Sequence, residues 1–154
     1  MWATLFALTN GLAIGAWLLL AAGPRQPLVH SAILYLGVAL LCLIYAAVFA
    51  LVLSGALDPA RVAGAGQPGF GSIAGVRAFF ASDGGVVIGW THYLAFDLFT
   101  GLWIARDADN KQFGRLVQLP FLFATFLAGP VGLLAWLIVR ERRARANGRA
   151  RGRA

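Results

Sequence analysis

Two side chains capable of proton chemistry, His92 and Asp97, lie inside one apolar stretch, Gly84 to Asp107, which reads GGVVIGWTHYLAFDLFTGLWIARD. The stretch is long and apolar enough to cross a bilayer, for which about 20 residues suffice. Asp97 falls near its middle. A carboxyl at that depth costs roughly 2.5–3.5 kcal/mol on insertion scales, and such residues are paired or functional. Uncharged, it can donate a proton; charged, it can accept one. At about 100° per residue, Trp90, Tyr93 and Gly101 fall within about 40° of Asp97 and share its face. His92 falls on the other side, among Phe96, Phe99 and Trp103, and about 7.5 Å away along the axis. The candidate catalytic residues Asp97 and His92 therefore serve two sides of one helix. No lysine lies within an apolar stretch, which excludes Schiff-base chemistry there. One histidine cannot supply two haem ligands, and the sequence carries no zinc pattern, haem-attachment motif or phosphate loop. No metal and no cofactor are expected.

The rest of the chain suits such a segment. Its 154 residues are 60% hydrophobic and 12% charged, with a mean hydropathy of +0.75. Soluble domains carry about 25% charged residues. The net charge of +7 would suggest a nucleic-acid partner, but seven of the 13 Lys and Arg fall between Arg140 and Ala154. The basicity belongs to a tail that would lie on anionic headgroups, and no nucleic-acid partner is expected. Cys42 lies in an apolar run and reads as a packing residue, without a second cysteine to pair with.

The hydrophobic runs predict an all-α integral membrane bundle of four transmembrane helices. The spans are about 2–22, 31–54, 84–105 and 116–139, forming one domain over 1–139. A short interfacial helix joins the second and third: Ser72 can cap it, and Ile73, Val76, Phe79 and Phe80 recur at helical spacing. The first span reads as retained rather than cleaved, because no Lys or Arg precedes Arg25; a signal peptide needs a basic start. Gly11 and Gly15 form a packing seam. Asn10 beside them either makes an interhelical bond or points into a ligand site. Pro24 and Pro27 hold Gly23 to His30 as a turn. Pro130, after Gly129, is expected to kink the fourth span and to free the Phe126 carbonyl. Thr125 and Gly132 are small enough to let another helix approach. Arg106 and Asp107 mark a membrane edge with a local ion pair. Residues 140–154 read as a basic, disordered cytoplasmic tail. Four spans place both termini on one side, and the arginine bias makes that side the cytoplasm of a bacterial inner membrane.

Two segments carry a resemblance: WTHYLAFDLFTGLWIARDA from Trp90 and LPFLFATFLAGPVGLL from Leu119. Together they resemble the membrane family of plant neoxanthin synthase, the abscisic-acid-deficiency type, which has many small bacterial relatives. The N-terminal half joins in through Asn10, Trp17 and Pro24. The resemblance implies a four-helix membrane protein. For the plant member it implies opening of a violaxanthin epoxide with formation of an allene. The family-like positions are His92, Asp97, Arg106, Asp107, Thr125 and Pro130. With Asn10, Trp90, Tyr93 and Gly101 they make the candidate substrate site, for an apolar polyene or related isoprenoid in the lipid bilayer. Epoxide opening needs an acid at oxygen and a base for a proton on carbon, which Asp97 and His92 could supply. The competing reading is a small non-catalytic membrane protein that binds a pigment, a lipid or a partner complex.

Overall fold

The computed structural model describes residues 1–151, with side chains through Glu141, and these residues are helical apart from loops and one isolated bridge. Six helices carry them. They are α1 (Trp2–Ala22), α2 (Pro27–Leu53), α3 (Ile73–Phe80), α4 (Asp83–Asn110), α5 (Arg115–Leu127) and α6 (Gly129–Arg151). Two of them, α1 and α2, are long and apolar enough to cross a membrane. The turn before α2 is shorter than expected, because Pro27 does not block the helix but starts it. Proline needs no N–H partner at a first helical position. Between Ile33 and Ala39 this helix widens into a π-helical stretch. Gly37 lies in that stretch where three helices meet. A Cβ there would come 3.0 Å from Leu98 of α4 and 3.2 Å from Ala16 of α1.

The 28-residue α4 is the axis of the fold, about 42 Å long at 1.5 Å per residue. Its neighbours give the directions. The start of α1 lies at the start of α4, with Gly84 close to the Trp2 ring and to Pro59. Further along, Trp90 bonds Asn10, and Trp17 covers Gly101. So α1 and α4 run the same way. α2 runs against them: Tyr45 meets His92, and the His30 carbonyl meets Arg106. Ser72 and Ser82 cap α3 and α4, accepting the Gly75 and Gly85 N–H groups, both at 3.0 Å. The connection before them folds back, with Trp2 Nε1 donating to the Asp58 carbonyl at 3.2 Å.

The segment expected as a fourth crossing is instead a hairpin. Its helices α5 and α6 are broken at Ala128, which has an extended φ of −156° and ψ of 81°. They pack antiparallel, with Gly132 against Thr125, and Trp136 edge-on to Phe121 at 5.4 Å. Both open ends lie where α1 and α4 finish. Arg115 donates to the Ala21 and Gly23 carbonyls of α1, and Arg140 pairs with Asp107 near the end of α4. Met1 and Arg140 therefore stand at opposite ends of the bundle. Pro130 is corrected. It occupies the first turn of α6, where its missing N–H costs nothing, instead of kinking a continuous helix. The Leu127 carbonyl is set free and accepts the Tyr93 hydroxyl, and the Phe126 carbonyl is without a helical N–H as expected, its i+4 residue being Pro130. The expected disordered tail is helical from residue 140 as far as Arg151, as its alanines and arginines are good helix formers; residues 152–154 lie outside the described residues. Cys42 is exposed rather than packed. Gly11 and Gly15 have no heavy atom within 4 Å of an added Cβ, so they form an open groove wall, not a closed seam.

Candidate active site at the hairpin tip

The hairpin ends halfway along α4, and Asp97 is the residue it reaches. Asp97 is 8% exposed. An added Cβ at Gly129 would run into its carboxylate, so the backbone of the α6 start lies directly on Asp97. The Gly129 N–H and the Tyr93 hydroxyl are its hydrogen-bonding neighbours. Helix N-termini carry unpaired N–H groups and partial positive charge, which favours a carboxylate in this position. Its Oδ2 is buried with no partner among the described residues. Tyr93 donates to the Leu127 carbonyl at 3.1 Å. One turn of α4 thus serves both sides of the break: Tyr93 takes the freed carbonyl and Asp97 the freed N–H.

Beyond the tip, the earlier half of α4 is not covered by the hairpin. There Trp90 stacks on Tyr93 with centroids 5.1 Å apart, and its Nε1 donates to Asn10 Oδ1 at 3.1 Å. Asn10 is held in turn by its bond to the Phe6 carbonyl at 2.7 Å. Trp90 remains 39% exposed. The result is a partly exposed aromatic pair, Trp90 on Tyr93, next to the buried Asp97.

On the other side of the tip, α1 and α5 enclose an apolar groove of about 380 Å³. It runs from Ala21 and Leu119 to Ile14 and Phe126. Trp17 closes its inner wall, edge-on to Phe126 at 5.6 Å and over Gly101. An added Cβ at Gly101 would run into the Trp17 ring.

A family model described as ABA DEFICIENT 4-like matches residues 4–136. The chain belongs to this family. No curated protein and no solved structure matches it. The match covers everything from Asn10 to Trp136 that builds the tip in this ABA DEFICIENT 4-like protein.

The candidate residues separate into three groups. Asp97, Tyr93, Trp90, Asn10 and Gly101 come together along one face, joined by Pro130 through its neighbour Gly129. His92 does not: it is exposed on the far side of α4, 5.6 Å from the Tyr45 ring and 4.6 Å from Phe96. Thr125 bonds the Phe121 carbonyl at 2.7 Å and packs on Gly132 inside the hairpin; it supports the tip without facing it. Arg106 and Asp107 lie at the hairpin's base. Asp107 pairs there with Arg140 at 3.0 Å and accepts from Trp136 Nε1 at 3.0 Å, while Arg106 donates to the His30 carbonyl at 3.3 Å. The expected local pair between Arg106 and Asp107 is thus replaced by the contact to Arg140. Sequence reasoning missed Gly129 as the neighbour of Asp97, and Trp17 as the cover of Gly101. The signal for Gly129 was the run Ala128-Gly129-Pro130 inside an apolar stretch, which fits a turn as well as a kink. Among the described residues no cluster of His, Cys, Asp and Glu could hold a metal ion.

Proposed function

We propose that this protein is a membrane-embedded enzyme acting on a carotenoid or related isoprenoid, in the manner of neoxanthin synthase. The observation that carries this is the buried Asp97, with one unpartnered oxygen, beside the stacked Trp90–Tyr93 pair, of which Trp90 is exposed. Membership of the ABA DEFICIENT 4-like family supports the substrate class. Opening an epoxide to an allenic alcohol is an isomerisation. The oxirane C–O bond breaks, the oxygen gains one proton, and one proton leaves a polyene carbon. No oxidant or reductant enters. Tyr93 and Asp97 are the two groups placed to exchange those protons: the hydroxyl donates at oxygen and the carboxylate takes the proton from carbon. His92 has no part in this scheme, since it opens to the other side of α4. The ring of the substrate would stack on Trp90, and the apolar groove between α1 and α5 would hold chain.

The same proposal places α1, α2 and α4 across the bilayer and the α5–α6 hairpin as a re-entrant element. Backbone that turns at membrane depth is tolerated where protein satisfies it, and Tyr93 and Asp97 do so here. Arg25, Arg106, Lys111, Arg115 and Arg140 then share one end, and six more arginines follow Arg140 in the sequence. Arg61 and Arg77 fall at the other. The positive-inside rule makes the C-terminal end cytoplasmic and the N-terminus external.

The test is expression in a host that makes epoxidised carotenoids, followed by pigment chromatography. A new allenic or rearranged product supports the enzyme. Unchanged pigment, with stoichiometric pigment co-purifying, would replace it by a binding protein.

A further inference from the structure

At the basic end, away from the hairpin tip, a cavity of about 390 Å³ opens between the start of α2 and the end of α4. Arg25, His30, Ser31, Arg106, Asp109 and Asn110 line it. All three guanidinium nitrogens of Arg25 are buried, and none has a hydrogen-bond partner among the described residues. Its counter-charge at short range among the described residues is Asp109, at 3.5 Å. The other Asp109 oxygen is taken by Gln118 Nε2 at 2.9 Å. The His30 Nε2 is also buried and unpartnered among the described residues. Arg106 spends a donor on the His30 carbonyl. Burial pulls the Arg25 guanidinium below its usual value, with Asp109 opposing this and Arg115 adding to it. A buried cation without acceptors is costly. Two arginines and one carboxylate in the lining leave the region short of negative charge and of acceptor oxygens.

We propose that this cavity is a binding site for a phosphate group, with Arg25 and Arg106 as its principal ligands and His30 and Ser31 as additional donors. Phosphate supplies several acceptor oxygens in the geometry that guanidinium forks match. Two sources present it at the edge of a bundle: the headgroup of an anionic phospholipid, and free inorganic phosphate. The site is separate from Asp97 and does not depend on the proposed reaction.

The test uses the full chain in detergent, with native mass spectrometry and thermal unfolding. The probes are phosphatidylglycerol, phosphatidylcholine and inorganic phosphate. One phosphatidylglycerol retained per chain in preference to phosphatidylcholine, and lost in Arg106→Gln, supports a headgroup site. Protection by inorganic phosphate that is lost in the same variant supports a free-phosphate site. Removing one charged donor should weaken retention by about tenfold or more. Asp109→Asn provides the opposite sign: it removes the competing negative charge and should tighten retention, which a purely structural role for these residues would not do. Retention unchanged in Arg106→Gln but lost when Arg142, Arg143 and Arg145 are changed to Gln would assign the lipid to the tail and overturn the proposal. So would the absence of retention or protection by every probe, or weaker retention in Asp109→Asn.

Discussion

Asp97→Asn separates a chemical role from a packing role with little change of shape. The amide oxygen can still accept the Gly129 N–H, the group lying directly on the carboxylate. The amide NH₂ must then occupy the place of Oδ2, which is buried and has no partner. One unsatisfied buried polar group costs about 1–3 kcal/mol. The parent's Oδ2 is unpartnered in the same place, so stability should fall by no more than that amount, and the variant should still insert and fold. Activity should fall much further, because an amide neither gives nor takes the transferred proton. A general acid or base contributes about 10²–10⁴-fold. Lost stability lowers the amount of folded protein, whereas lost proton transfer lowers turnover per folded molecule. The assay is therefore pigment conversion in the producing host, normalised to membrane-resident folded protein. A loss of at least about 10²-fold is expected. Full turnover per folded molecule would remove Asp97 from the chemistry and leave it as the cap of α6.

Gly129→Ala should destabilise the tip, because the new methyl falls on the Asp97 carboxylate; the cost should shrink in an Asp97→Gly background, since contacting positions are not additive, and thermal unfolding of the double-mutant cycle measures this. His92→Gln should leave conversion near the parent value, as the imidazole is exposed among Tyr45 and Phe96; a loss comparable to that of Asp97→Asn would put a second proton carrier on the far face. Reporter fusions at Ala65 and at the C-terminus should report opposite sides, external and cytoplasmic; signals from the same side would rule out the re-entrant hairpin. Arg115→Ala removes three hydrogen bonds to the Ala21 and Gly23 carbonyls and should lower stability by about 2–3 kcal/mol, seen as an earlier melting transition in detergent.

The sequence made the importance of α4 visible because burial of a carboxyl has a high cost wherever it occurs. The wheel position of Asp97 with Trp90, Tyr93 and Gly101 follows from helix geometry alone, and so does the separation of His92. The fate of residues 116–139 was less accessible. An apolar run states how much chain must leave water, but not in which direction it travels. A run of that length serves one crossing or two half-depth helices. The choice depends on whether a turn at mid-depth can be satisfied. Here Gly132 lets the second helix close on Thr125, and the Ala128 break leaves a carbonyl and an N–H that need partners.

Those partners are Tyr93 and Asp97, four residues apart on α4 and hence on one face. The cost argument that singled out Asp97 applies equally to the Gly129-Pro130 pair. A kinked span would leave one unpaired carbonyl, at Phe126, and would ask nothing of an N–H donor. A break leaves carbonyls of the last α5 turn and the Gly129 N–H without helical partners, and requires both a donor and an acceptor at the same depth on a neighbouring helix. A hydroxyl and a carboxylate at positions 93 and 97 meet that double requirement, whereas a kink would leave the carboxylate without its backbone donor. The polar content of α4 therefore selects the break over the kink. With the break come the reversal of α6, the gathering of the arginines at one end, and the seat of the α6 start on Asp97.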